Sequence, residues 1–401
     1  MDSSTAGCGV KHHRGDRHCR SVVRLIAAPT LLMLVVSVAA LAQTESVTYN
    51  FANPPDAFGP KCNLVRDTAG NMYGATFSGG THNLGAVFVV SPTGTESVVY
   101  SFAGGADGSH PIGGLARDAK TGNLYGTTVY GGTTNNGTVF VLNPSTGVES
   151  VIYSFKGGTD GFNPYSGLVR SGTTIFGTTL NGGAFGYGTV FKLTAAGKEM
   201  ILHSFNSAFP ALDGSFPYAG LTLYKGILYG TTTLGGVGNL GTVFAITKTG
   251  AYTSLYTFKG GSNDGQGPNA GVTFDKSGNL FGTTYSGGIN NAGVVYEISG
   301  GVETVLHHFG RNTGDGINPF ASLIFFKGNF YGTTLQGGSA NGGTVFKISP
   351  TGAETLLHSF TGGADGFNPY SALVLNGTNT FYSTTVQGGT SNLGTVFKVV
   401  P

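Results

Sequence analysis

Residues 122–140 read Gly-Asn-Leu-Tyr-Gly-Thr-Thr-Val-Tyr-Gly-Gly-Thr-Thr-Asn-Asn-Gly-Thr-Val-Phe. Two runs, Leu124–Val129 and Gly137–Leu142, are dominated by β-branched and aromatic residues. Glycine and asparagine separate them, which is the pattern of two short strands joined by a loop. On the N-terminal side Gly114–Asp118 is a third such run, ended by the turn Lys120-Thr121-Gly122-Asn123. On the C-terminal side the turn Asn143-Pro144-Ser145-Thr146-Gly147 leads into Glu149–Phe155, rich in Val, Ile, Tyr and Phe. Together the four runs make one unit of four strands. Outside the apolar run Leu25–Ala42, no window spaces its apolar residues as a helix would.

The unit recurs seven times. Gly-Thr-Val-Phe, with small variations, begins at Gly85, Gly137, Gly188, Gly241, Gly293, Gly343 and Gly394, at spacings of 50 to 53. An aromatic-Gly-Thr-Thr-like string begins at Tyr73, Tyr125, Phe176, Tyr229, Phe281, Tyr331 and Tyr382. A phenylalanine closes the fourth run at Phe51, Phe102, Phe155, Phe205, Phe258, Phe309 and Phe360. Three anchors holding one period of about 51 residues mark a repeat architecture. The phase is shifted by one strand. Glu45–Phe51 matches the fourth-strand segment Glu96–Phe102 but comes first, whereas the last segment, Gly394–Val400, is a third strand. Each orphan completes the other only in a closed ring, and closure removes edges that invite aggregation. The expected fold is all-β: a seven-bladed β-propeller with four strands per blade, closed by strand 45–51 pairing with the last blade. Residues 43–401 are expected to form this single domain.

These motifs, with Gly-Asn-Leu-Tyr-Gly-Thr-Thr at 122–128 and Gly-Thr-Val-Phe at 137–140, resemble the bacterial GloVer (Gloeobacter/Verrucomicrobia) tandem repeat family. The resemblance covers Thr44 to Pro401. It implies a repeat fold and an exported location, and it implies no activity. Some members carry anchoring tails; no sorting tail is expected here.

Composition agrees with many short strands and turns. Glycine is 70 of 401 residues without a collagen period, and charged residues are only 10%. Much of the basic excess behind the net charge of +2 lies in Lys11, Arg14, Arg17, Arg20 and Arg24. These precede Leu25–Ala42, which ends in Ala40-Leu41-Ala42. The segment 1–42 therefore reads as a secretory signal cut after Ala42, an uncleaved anchor being the alternative. After cleavage no membrane span is expected, and the remaining chain lacks the basic stripe that nucleic acid requires. Cys62 is then the one cysteine left, aligned with Ser166, and is expected to fill space in the core.

In a four-stranded blade the second-to-third and fourth-to-first loops share one face of the disc, and here they are the longer ones. Functional residues of repeat folds gather on the loop-rich face. It carries Asp107, Asp160, Asp213, Asp264, Asp315 and Asp365, each followed by Gly, with Asp56 as a degenerate seventh. Two readings of these acids stand. They form a ring of carboxylates around the pore, suited to cations or sugar hydroxyls, or they form Asp-Gly turns in which Asp bonds nearby backbone and Gly supplies a positive φ. Three features break the sevenfold symmetry: the longer loop holding Phe209, Pro210 and Leu212; His110; and Arg66, Arg117 and Arg170 on the first three first strands. The arginines read as a basic wall in the channel or as side chains packed between blades. His203, His307 and His358 take a slot filled elsewhere by Tyr49, Tyr100, Tyr153 and Tyr256. Lying in separate blades, they read as packing residues and not as ligands of one metal.

No nucleophile elbow, phosphate loop, zinc spacing or dense calcium loop occurs, so no catalytic residue, metal or cofactor is expected. The leading expectation is an exported, non-enzymatic binding or scaffold module for a glycan, a cell-envelope component or a protein, working through the long-loop face. A carbohydrate-active hydrolase or lyase at the pore mouth is the alternative, and a purely structural surface protein is the third.

Overall fold

The computed structural model describes residues 44–194, 196–207 and 213–401; the segment 1–42 and the loop residues Phe209, Pro210 and Leu212 lie outside them. Seven antiparallel blades, numbered here in chain order, form a closed propeller. In blade 2 the strands are Ala116–Arg117, Leu124–Thr128, Thr138–Asn143 and Val148–Ser154, each within two residues of the runs read from sequence. Blade 7 is assembled from both ends of the described chain: Val374–Asn376, Thr380–Gln387 and Thr395–Val400 are joined by Thr44–Asn50. Thr44 opposes Val400 and Asn50 opposes Thr395, so the expected closure is present.

The core lies between blades. The phenylalanine after each fourth strand meets the ring on the third strand of the next blade edge-on: Phe102 on Phe140 at 5.2 Å, Phe258 on Tyr296 at 5.2 Å, Phe309 on Phe346 at 5.1 Å. The same contact closes the ring, with Phe360 on Phe397 at 4.9 Å and Phe51 on Phe88 at 5.0 Å. Such pairs add about 0.5–1.5 kcal/mol each beyond the area they bury. Their third-strand partners need room on the second strand. A methyl group at Gly126 would lie 2.5 Å from Phe140 Cζ and 2.9 Å from Leu115 Cδ2, which is why this position reads Gly in the aromatic-Gly-Thr-Thr string.

Hydroxyls stitch the inner strands. Thr127 Oγ1 donates to the Ser166 carbonyl of blade 3, Thr231 Oγ1 to that of Ala270, and Ser371 Oγ to that of Cys62 across the closure. Cys62 is buried, donates to the Ala75 carbonyl and accepts from its amide; burial pushes the thiol up to about 12, which leaves it unreactive. That is the filler role expected of it.

One regularity has no mark in the strand pattern. Each third-to-fourth pairing slips by one residue at the same place, as between Val151 and Tyr153 or between Val47 and Tyr49. This bulge re-aims the Tyr or His that follows it.

Candidate binding site at the axial mouth

Seven prolines, from Pro60 to Pro369, stand where the fourth-to-first loop turns into the first strand. The residue before each is left-handed: Gly59, His110, Asn163, Phe216, Gly267, Asn318 and Asn368 have φ between 53° and 65°. Glycine and asparagine tolerate that conformation, whereas His110 and Phe216 hold it at a cost. The residue after each proline points to the axis. These are Lys61, Ile112, Tyr165, Tyr218, Asn269, Phe320 and Tyr370, and they line a cavity of about 80 Å3 with contributions from all seven blades.

This column breaks the sevenfold symmetry strongly. Tyr165 and Tyr218 pack at 5.4 Å, Tyr218 and Phe320 at 5.4 Å, and Phe320 and Tyr370 at 4.3 Å. The hydroxyls of Tyr218 and Tyr370 share a hydrogen bond of 2.7 Å across the axis. The aromatic surface continues through Tyr285, 6.1 Å from Phe320. On the other side His110 sits 4.6 Å from Phe77 and 5.6 Å from Tyr130, and Lys61 Nζ lies 4.8 Å over the Phe77 ring. Burial lowers the His110 pKa, and its Nδ1 is buried without a partner, so the imidazole is neutral at physiological pH. Among the described residues no acid lines the axial cavity. Half-buried rings with hydroxyls at their edges, one ammonium and no carboxylate can stack and hydrogen-bond a neutral or anionic ring. They cannot perform paired-carboxylate chemistry.

The aspartates lie elsewhere. The fourth strand is the outermost of each blade, and the acids sit beside it at the outer rim, so a ring of carboxylates around the pore is not formed. Tyr100 donates to Asp107 at 2.7 Å, Tyr153 to Asp160 at 2.6 Å and Tyr256 to Asp264 at 2.7 Å; His203 contacts Asp213 at 2.7 Å and His358 contacts Asp365 at 3.3 Å. Most of these carboxylates also accept an earlier backbone amide, as Asp160 does from Lys156 at 2.6 Å and Asp315 from Arg311 at 3.0 Å. The bond runs back along the chain to the end of the fourth strand, and the bulge supplies the side chain that completes it. The following glycine has the expected positive φ after Asp107, Asp160, Asp213 and Asp365, at 97°, 88°, 148° and 101°, but not after Asp264 or Asp315, where a Cβ would strike Thr284 or Thr334. Asp160→Ala is expected to cost about 2 kcal/mol, because two bonds to a charged acceptor are lost. A guanidinium midpoint equal to wild type would remove this structural role.

A glutamate from the next blade faces most of these pairs: Glu45, Glu96, Glu149, Glu199, Glu303 and Glu354, each with Oε1 buried and unpartnered. Burial first, and then the neighbouring aspartate, raises their pKa values, to about 7 for Glu45, Glu96 and Glu199 and to about 8 for Glu303. Facing His203 the glutamate is replaced by Tyr252, stacked on the imidazole at 4.1 Å. Between blades 7 and 1 the rim opens into a groove of about 680 Å3 lined by Tyr49, Asp56, Glu96 and Tyr100.

The arginines do not gather in the channel. Arg170 pairs with Asp118 at 3.0 Å and lies 4.5 Å over the Tyr125 ring of the preceding blade. The Lys120 amide and that guanidinium hold the Asp118 carboxyl down at about 2. One blade earlier the bonds from Asn71 and Ala69, and behind them the charge of Arg117, lower the Asp67 carboxyl, and Arg66 is exposed. Of the residues singled out from sequence, Cys62 lines the axial cavity, and His110 stands beside it against Phe77 and Tyr130. The aromatic column was missed because each member occupies a different repeat. Its signal was the residue after the repeated proline, where Lys, Ile, Tyr, Asn and Phe alternate in an otherwise regular unit.

Fold and site together define a class: a closed propeller built from one tandem repeat, with a small aromatic cavity on its axis. The chain belongs to the Gloeobacter/Verrucomicrobia repeat family, whose model matches residues 34–244 and 226–401. No curated protein matches it. Among solved structures it is similar to the extracellular domain of a protein described as a hybrid two-component system from B. thetaiotaomicron. That likeness has 11% identity and a TM-score of 0.57 and covers 88% of this chain and 39% of the other. The chain thus spans about two fifths of that domain. It is also similar to an oligogalacturonate lyase from Vibrio parahaemolyticus, at 9% identity and a TM-score of 0.55, covering 90% of this chain and 97% of the other. At such identities the likeness is one of fold. No helix among the described residues is long and apolar enough to cross a membrane.

Proposed function

We propose that this protein is an exported binding module that holds a ring of a glycan against the aromatic mouth of its axis. The observation that carries the reading is the half-buried cluster of Tyr165, Tyr218, Phe320 and Tyr370, flanked by Lys61 and His110, where a sevenfold repeat abandons its symmetry. Pyranose faces stack on aromatic rings, and the tyrosine hydroxyls supply bonds to ring hydroxyls. Lys61 suits an acidic sugar, so uronic-acid oligomers belong in the first panel beside neutral glycans; a uronic-acid oligomer is also what the matched lyase is named for. Export is supported by the reading of residues 1–42 and by the extracellular origin of one matched fold.

The test is calorimetric titration of oligosaccharides into wild type, Tyr370→Ala and Tyr218→Ala. Aromatic anchors of this kind contribute about 2 kcal/mol or more, so each variant is expected to bind at least about 30-fold more weakly. A glycan bound equally well by both variants would place the site elsewhere, and a panel without binding would end the glycan reading. Cleavage of a bound oligosaccharide would replace binding with catalysis.

A further inference from the structure

Between blades 5 and 6 a histidine, an aspartate and a glutamate converge at the rim; between blades 6 and 7 the same residue types recur, but there His358 Nε2 reaches Asp365 Oδ2 at 3.3 Å. His307 stands on the fourth strand of blade 5, Val302–His308, where four other blades place a tyrosine. Asp315 follows in the loop into blade 6, and Glu354 opens the fourth strand of that blade, Glu354–Ser359. His307 Nε2 is 3.8 Å from Asp315 Oδ1 and 3.8 Å from Glu354 Oε2, too far for hydrogen bonds. The three ligand atoms all lie within 4.8 Å of one another. The Asp315 side chain is only 2% exposed; Arg311 N holds its Oδ2, and its Oδ1 is buried with no partner. His307 Nε2 is likewise buried and unpartnered.

We propose that His307, Asp315 and Glu354 form a binding site for one zinc-class divalent cation, which fastens blade 5 to blade 6 at the outer rim. Zinc bonds to nitrogen and carboxylate oxygen at about 2.0–2.2 Å, which sets tetrahedral ligand atoms about 3.4 Å apart. The two distances of 3.8 Å need to close by a few tenths of an ångström to reach that, and the remaining one, up to 4.8 Å, by about 1.4 Å. One imidazole and two carboxylates, with a fourth place left for water, suit zinc and its first-row neighbours. Calcium, which takes six to eight oxygens, is poorly served. A cation would also satisfy the orphaned Asp315 Oδ1, a position that a tyrosine hydroxyl fills at Asp107 and Asp160. The reading of the histidines as separate packing residues did not weigh that His307 faces acids from two chain segments, one of them in the next blade.

The test uses the full chain, wild type and His307→Tyr, dialysed against zinc and analysed for bound metal and thermal unfolding. Tyrosine is what most other blades carry in this slot, so the variant is expected to fold. Because His12, His13 and His18 lie outside the described residues, the reading is the difference between the two proteins. Wild type is expected to hold one more zinc per chain and to gain several degrees in Tm on adding zinc. His307→Tyr should bind that equivalent more than about a hundredfold more weakly, beyond the cost of losing an outer-sphere partner, and show no zinc-dependent Tm. His203→Gln, at the seam where Tyr252 of the next blade replaces the glutamate, should keep both. Equal zinc content and equal Tm response in wild type and His307→Tyr would overturn the site. So would a wild type that releases all its zinc on dialysis.

Discussion

A chain from which residues 44–51 have been deleted is expected to lose its single cooperative unfolding transition. Those residues supply the fourth strand of blade 7, paired with Thr395–Val400 along its whole length. They also carry Phe51, which is fully buried against Phe88 of blade 1. Removing that side chain alone should cost about 3–5 kcal/mol, and a whole domain is stable by only about 5–15 kcal/mol. The deletion further bares the edge of Thr395–Val400, whose Val396 and Phe397 are now inaccessible, as a template for another chain. Circular dichroism melting should show a broad, early transition, and light scattering should show association. Phe51→Ala, which keeps the strand, should melt cooperatively at a lower temperature. A deletion variant that melts as wild type would mean that blade 7 does not depend on its N-terminal strand.

The protein is expected to be more stable near pH 5 than near pH 9, the reverse of common acid lability. Six rim glutamates are responsible. Their folded-state pKa values are raised by burial and by the facing aspartates, to about 7 for Glu45, Glu96 and Glu199 and to about 8 for Glu303, with Glu149 and Glu354 raised as well. A carboxyl raised above its unfolded value near 4.5 favours the fold while protonated. Its contribution is complete below that value and is lost as pH climbs through 7 to 8. Partial exposure weakens each effect, but all six act in one direction. The Tm should therefore fall by several degrees between pH 5 and pH 9, and Glu303→Gln should flatten the decline because an amide cannot ionise. A Tm that rises over that interval would show that the rim carboxylates are not held protonated in the fold.

The repeat, the strand positions and the ring closure were legible in sequence because they depend on local alternation and on a period that seven copies restate. The axial mouth was not. Tyr165, Tyr218, Phe320 and Tyr370 lie as much as 205 residues apart (370 − 165) and meet only once the ring has closed, so no local window contains the site. The aspartates were visible as a column, but their position was misjudged, since the chain alone does not say that the end of the fourth strand faces the rim. The rim glutamates were hidden for the same reason: Glu199 meets Asp160 through the neighbouring blade. What the sequence displayed well was what each repeat does for itself.

The strand that closes the ring is also the first described segment to be made and the last to find its place. Asn50 meets Thr390 across a sequence separation of 340 residues. At about 5–20 residues per second that interval is about 17–70 s of synthesis. Blades 1 to 6 can form in order as they emerge, each seating its third-strand ring against a phenylalanine already present. During that time Thr44–Asn50 must wait as a β-prone segment with no partner. A newly made molecule thus carries a vacant strand and, late in synthesis, a vacant edge. Two such molecules side by side can complete each other as readily as themselves, so the yield of closed monomers should depend on how far apart nascent chains are kept.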